Sequence, residues 1–165
     1  MTTEKSLTAE RLREVLDYDP ATGLFTRKVR TARNVQVGDV AGSLNGKGYI
    51  CIRVDGRSHK AHRLAWLYVH GVWPQSGIDH INGIKDDNHI INLREATHSD
   101  NQQNLRKPHA NNKIGLLGVS RSQGKFKAQI KVYGKVRTIG RFHTPEAAHA
   151  AYLKAKRQLH PFGTL

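Results

Sequence analysis

The chain has 165 residues, with 27 Lys or Arg against 13 Asp or Glu, and its formal net charge of +14 exceeds what solubility asks of a protein and points to a polyanionic partner. A single cysteine, Cys51, excludes an intrachain disulfide framework and a cysteine-rich zinc knuckle. No stretch approaches the ~20 apolar residues of a membrane span and the first residues lack the apolar run of a secretion signal, so a soluble, cytoplasmic protein with no membrane partner is expected.

The charge is unevenly placed. Residues 1–104 carry 14 basic and 12 acidic side chains, whereas residues 105–165 carry 13 basic and one acidic, Glu146. One end is an electrostatic clamp, and the carboxylates able to hold a cation lie almost wholly in the other. The length allows two compact units with modest cores, and the composition leaves the oligomeric state open.

In chain order, Thr8 to Leu16 reads as a short amphipathic helix capped by Thr8, with Leu12, Val15 and Leu16 on one face. A turn follows at Asp19 to Gly23. Between Gly48 and Gly56 strand-like runs flank an Asp55-Gly56 turn signal, which predicts a small antiparallel sheet. His62 to His70 has the spacing of a buried helix, and Pro74 lies beyond its end. Leu105 to Gly115 has no periodicity and reads as a linker. Three short runs, around Gly118 to Ser120, Phe126 to Val132 and Val136 to Phe142, predict an antiparallel meander. Thr144-Pro145-Glu146 then supplies an N-cap, a proline at the first helical position and an acid in the first turn, opening a helix that runs to about Leu159.

The most informative stretch is Ile78-Asp79-His80-Ile81-Asn82-Gly83, followed by Ile91-Asn92-Leu93-Arg94 and by Ser99-Asp100-Asn101-Gln102-Gln103-Asn104. Over about residues 60 to 104 it resembles the HNH endonucleases, especially the phage and intron-encoded homing enzymes whose third motif position is Asn. The resemblance implies a ββα-metal unit: an Asp-His pair ending one strand, an Asn-Leu step after a loop, and a helix bearing the last ligand. Phosphodiester hydrolysis needs an activated water, neutralised phosphate charge and a stabilised 3′ leaving oxygen. His80 is the candidate general base, since an imidazole titrates near operating pH. Asp79 and Asn101 offer hard oxygen ligands for one Mg²⁺ or Mn²⁺. Asn92 is expected to orient the His80 ring.

Other residues leave alternatives open. His62 either touches phosphate or supports the site, or is a buried structural histidine. His98 lies just ahead of the expected helix, with Ser99 as its N-cap, and replaces Asn101 as ligand if the register differs. His89 is read as a surface loop residue, with a DNA contact as the alternative.

Residues 113 to 160 resemble the DNA-binding domain of plant ethylene-response factors, on Gly118-Val119, Lys125 to Ile130, Ile139 to Thr144, and Glu146-Ala147-Ala148 through Tyr152. The resemblance implies a three-stranded sheet backed by one helix. Alternate strand residues project to opposite faces, so Lys125, Lys127, Gln129 and Lys131 share a face that can enter a DNA groove, while Phe126, Ala128, Ile130 and Val132 pack on the helix. Arg121 and Arg137 are the candidates for guanine contact, and the lysines for phosphate. Tryptophan positions of the plant pattern hold Phe126 and smaller residues here, so no base preference carries over.

The expectation is an α+β protein with a nuclease domain at residues 1–104, a linker at 105–114 and a DNA-binding domain at 115–165, cutting double-stranded DNA with one divalent metal ion. The alternative is a non-catalytic DNA-binding regulator with a degenerate HNH segment. An RNA-directed protein ranks below both, because the chain has no aromatic stacking platform of the usual RNA-binding kind.

Overall fold

The computed structural model describes residues 7–103, 105, 108 and 111–160, with the side chains of Ser99 and Gln102 left aside. Its contacts divide the chain into two compact units, Met1–Glu95 and Ala96–Leu165. That division groups the helix bearing Asn101 with the second unit. Asn104 and residues 106, 107, 109 and 110 of the expected linker lie outside the described residues.

The first unit opens with α1, Ala9–Val15, where the Thr8 hydroxyl accepts the Arg11 N–H at 3.2 Å as the sequence predicts. Two strands follow, β1, Leu16–Asp19, and β2, Leu24–Arg27, paired antiparallel across the 19–23 turn. A three-stranded antiparallel sheet comes next: β3, Ser43–Leu44, β4, Ile50–Val54, and β5, Arg57–Lys60, in that order. The β4–β5 turn puts Asp55 and Gly56 at φ +46° and +77°, the conformation that matches a hairpin's twist.

Helix α2, Ala61–His70, follows β5 directly and buries Leu64, Ala65 and Leu67 against Leu12, Val15, Leu16, Phe25 and Ile52. The rings of Tyr18, Phe25 and Tyr68 meet within the same core, with centroids 4.8 to 6.2 Å apart. Strands β6, Gly77–His80, and β7, Leu93–Ala96, form a separate two-stranded sheet. Between them a loop ends in a 3-10 turn, Ile90–Asn92.

In the second unit α3 runs His98–Gln103. Its start corrects the expected cap. Thr97 Oγ1 accepts the Asp100 N–H at 3.2 Å, and Asp100 Oδ2 accepts the Thr97 N–H at 3.0 Å and its hydroxyl at 2.7 Å. This reciprocal capping box makes Thr97 the capping residue and puts Ser99 inside the helix, because a carboxylate three residues on completes the exchange.

Strands β8, Val119–Ser122, β9, Lys125–Val132, and β10, Lys135–Phe142, form an antiparallel sheet in the order β10-β9-β8. Helix α4, Pro145–Leu159, is capped by Thr144, whose hydroxyl accepts the Ala147 N–H at 3.2 Å. Ala128, Ile130 and Val132 pack on Ala148 and Tyr152, as the alternation predicts, and Phe126 lies partly buried in the same cluster. Gly118 is required here: its φ is +73°, and a Cβ would stand 2.0 Å from Tyr152 Cδ2. The stretch before β8 contributes too, since Ile114 packs on this core and Asn112 Nδ2 donates to Leu116 O at 2.8 Å.

Candidate active site

Asp79 and His80 end β6 and are 9% and 5% exposed. The approach to β6 is held from two sides. Glu95 Oε1 accepts the N–H groups of Gln75 and Ser76, and Arg63 Nη1 donates to Ser76 O at 3.3 Å. Asp79 Oδ2 accepts two hydrogen bonds from Arg94, from Nε at 3.1 Å and Nη2 at 2.8 Å. Arg94 stands on β7, the strand paired with β6. Its guanidinium neutralises a carboxylate that would otherwise be buried at a cost.

His62, at the start of α2, is 4% exposed, and its ring stands perpendicular to that of His80 with centroids 4.9 Å apart. Of the two roles weighed for it, burial beside the catalytic candidate is what the structure displays. Its Nδ1 has no hydrogen-bond partner among the described residues. Burial, then the neighbouring His80, Lys60 and Arg63, pull the His62 pKa down to about 3. Burial also lowers the His80 pKa, against the opposing pull of Asn88 and of the carboxylates of Asp79, Asp87 and Asp86. Both rings are therefore neutral near pH 7, and a neutral imidazole can accept a proton.

Asn92, 8% exposed, closes the loop between the strands. Its Oδ1 accepts the Asn82 N–H at 2.9 Å, its Nδ2 donates to Asp87 O at 2.9 Å, and its backbone carbonyl accepts the Ile81 N–H at 2.8 Å. The amide thus engages the backbone on both sides of the loop that follows His80, where the sequence reading gave it the His80 ring. Asp87 is a second hub, bonded to the Asn82 amide and to His89 Nδ1. His89 is consequently tied into the loop rather than loose on it. The Tyr18 hydroxyl donates to Asn88 O at 2.7 Å, and Gly23, at φ +70°, lies against residues 88 and 89 so closely that a Cβ would meet His89 N at 2.5 Å.

Tyr49 completes the surroundings, with its ring centroid 6.1 Å from that of His80 and 5.3 Å from that of His62. The ammonium groups of Lys60 and Lys85 lie 4.6 and 5.0 Å from its centroid. Arg94, Tyr49, Lys60 and Lys85 carried no role in the sequence reading. Arg94 follows the Asn-Leu step directly, and only the β6–β7 pairing reveals its partner.

For a metal ion, Asp79 offers hard carboxylate oxygen, the donor type that suits Mg²⁺ or Mn²⁺. No group of three or more His, Cys, Asp or Glu able to hold an ion occurs among the described residues. Asn101 lies in α3 of the second unit, as does His98, now the first helical residue.

In the second unit the sheet registers sort the basic residues by face. Directly paired residues share a face. Lys127 pairs with Ser120 and Arg141, Gln129 with Thr138, Lys125 with Ser122, and Lys131 with Val136. Arg121 pairs instead with Phe126, over whose ring its guanidinium lies at 5.4 Å, and Arg137 with Ile130. Arg121 and Arg137 are exposed but stand on the sheet side of Phe126 and Ile130. Arg141, which the sequence reading passed over, shares the lysine face.

A family model described as HNH endonuclease matches residues 59–103, the span from β5 through α3. That match supports an HNH nuclease domain in this chain. No curated protein and no solved structure matches the chain. Among the described residues no helix is long and apolar enough to cross a membrane.

Proposed function

We propose that the chain is a metal-dependent DNA endonuclease of the phage homing type, with a ββα-metal site and a C-terminal module of the ethylene-response-factor type that binds duplex DNA. The observation that carries this is the buried His80 imidazole, neutral and beside Asp79, within the segment matched to the HNH endonucleases. His80 accepts the proton of a water that attacks phosphorus, the P–O3′ bond breaks, and the departing 3′ oxygen takes a proton from solvent, leaving 5′-phosphate and 3′-hydroxyl ends. His62 presses on the His80 ring from the side and keeps its surroundings apolar. Asn92 holds the loop that follows His80. Asp79 would hold one Mg²⁺ or Mn²⁺, which when bound would supply Lewis-acid stabilisation of phosphate and leaving-group charge, and Asn101 keeps the ligand role that the family resemblance implies. In the second unit Lys125, Lys127, Gln129 and Lys131 meet the DNA backbone, with Arg121, Arg137 and now Arg141 as the arginines able to reach a base.

One observation favours a second reading, a DNA-binding regulator that no longer cuts: Arg94 already holds Asp79 Oδ2, the oxygen a cation would compete for. Incubation of supercoiled plasmid with Mg²⁺ decides between them. The nuclease produces a nicked circle first, because one such site cuts one strand. EDTA abolishes cutting, and His80→Ala slows it by ~10²–10⁴ while DNA binding persists. Full cutting in EDTA, or undiminished cutting by His80→Ala, overturns the proposed chemistry. A wild type that binds but never cuts supports the regulator.

A further inference from the structure

We propose that Lys60 and Lys85, set against the ring of Tyr49, grip a backbone phosphate of the DNA strand beside His80. Three elements bring the group together. Lys60 ends β5, Tyr49 immediately precedes β4, and Lys85 lies in the loop after β6. The two ammonium groups stand 4.6 and 5.0 Å from one ring centroid, which itself lies 6.1 Å from that of His80.

The electrostatics favour an anion at this place. Both lysines are exposed, and among the described residues neither is ion-paired with a carboxylate. Of the carboxylates around His80, Asp79 is engaged by Arg94 and Asp87 by His89 and Asn82, while Asp86, next to Lys85, stands exposed. Lys85 Nζ donates one proton to Lys47 O at 3.0 Å, which fixes the end of a flexible side chain and leaves two N–H donors. A π face holds an ammonium by its charge while leaving its N–H groups to other acceptors. The contact is to the backbone, so it positions the strand and reads no sequence.

The grip rests on the nuclease reading for the role of its neighbour His80, but its test is independent of cutting. Full-length protein carrying His80→Ala is titrated with a duplex DNA oligonucleotide in EDTA over a series of salt concentrations. Each neutralised phosphate contributes about −0.9 to the slope of log affinity against log salt on B-DNA. Lys60→Gln and Lys85→Gln should each make the slope shallower, and the double variant should approach the loss of one phosphate contact, about 0.9. Lys60→Arg should restore most of the slope, which a merely unfolded site would not allow. Lys154→Gln, on the exposed side of α4, should leave it unchanged. Unchanged slopes in both single variants and the double overturn the grip, as does a loss that Lys60→Arg fails to restore. If the slopes fall as expected while wild-type protein fails to cut plasmid in Mg²⁺, the phosphate grip stands and the nuclease reading falls.

Discussion

In Met1–Glu95 the residues His62 and His80 are 4% and 5% exposed, with their rings edge to face, whereas in Ala96–Leu165 the basic groups of Lys125, Lys131, Arg137 and Arg141 stand in solvent. The two regions use nitrogen bases in opposite ways. Burial removes water from the first pair and lowers their proton affinity, so they act as neutral, short-range groups. Exposure leaves the second set charged, and they act at a distance through the field of the whole face. Under the proposed function, chemistry and attraction fall to different physical regimes.

Acid breaks this contrast most severely. The unfolded chain protonates His62 near its ordinary pKa of 6.5, while the folded chain resists until about 3. The unfolded state therefore binds more protons between those values, and stability is full above pH 6.5 and falls as pH drops through that window. The slope from this one group is about 1.4 kcal/mol per pH unit. Denaturant titrations at pH 7, 5.5 and 4.5 should show the fall, and His62→Gln should flatten it. Parallel falls in wild type and variant would show that other groups carry the acid sensitivity.

Packing offers the next test. Gly118→Ala drives a Cβ into the Tyr152 ring at a positive φ and should destabilise the second unit by overpacking, about 1–3 kcal/mol. Hydrogen exchange should report protection lost in the β8–β10 sheet and retained in β4, β5 and α2. Equal loss in both would mean that the units do not unfold separately.

The register supplies a finer distinction. If the lysine face meets DNA, Arg141→Ala should relax base preference by about 1–3 kcal/mol at one position, and Arg121→Ala or Arg137→Ala should do less. Selection of binding sites from a random oligonucleotide pool would measure this, and the reverse ranking would place the DNA on the other side of the sheet edge. The smallest effects belong to single lysines. Lys125→Gln, Lys127→Gln or Lys131→Gln should each weaken all sequences alike and remove about 0.9 from the salt slope.

Much of the local structure was legible in the residue order. Thr8 and Thr144 cap helices where the sequence places them, Asp55-Gly56 turns a hairpin, and alternation puts Ala128, Ile130 and Val132 on the helix. The cap of α3 was misjudged because Thr97 and Ser99 are both capping types, and the Asp100 carboxylate that completes the box selects Thr97. The candidate site was readable only as residue types at Asp79, His80 and Asn92, whose roles remain proposals. Their partners were not.

What the sequence determined by itself is whatever depends on neighbours three or four residues apart: helix ends, turns, the inward face of each strand, and the split of charge between the two halves. The tertiary structure alone decided that Arg94 neutralises Asp79, that His62 lies against His80, that Asn92 engages the loop backbone, and that Arg141 rather than Arg137 shares the lysine face. Each of these joins groups on separate elements. A capping hydroxyl finds its N–H within one turn of chain, but a strand finds its partner and register only when the core closes around both, and no local pattern specifies that choice.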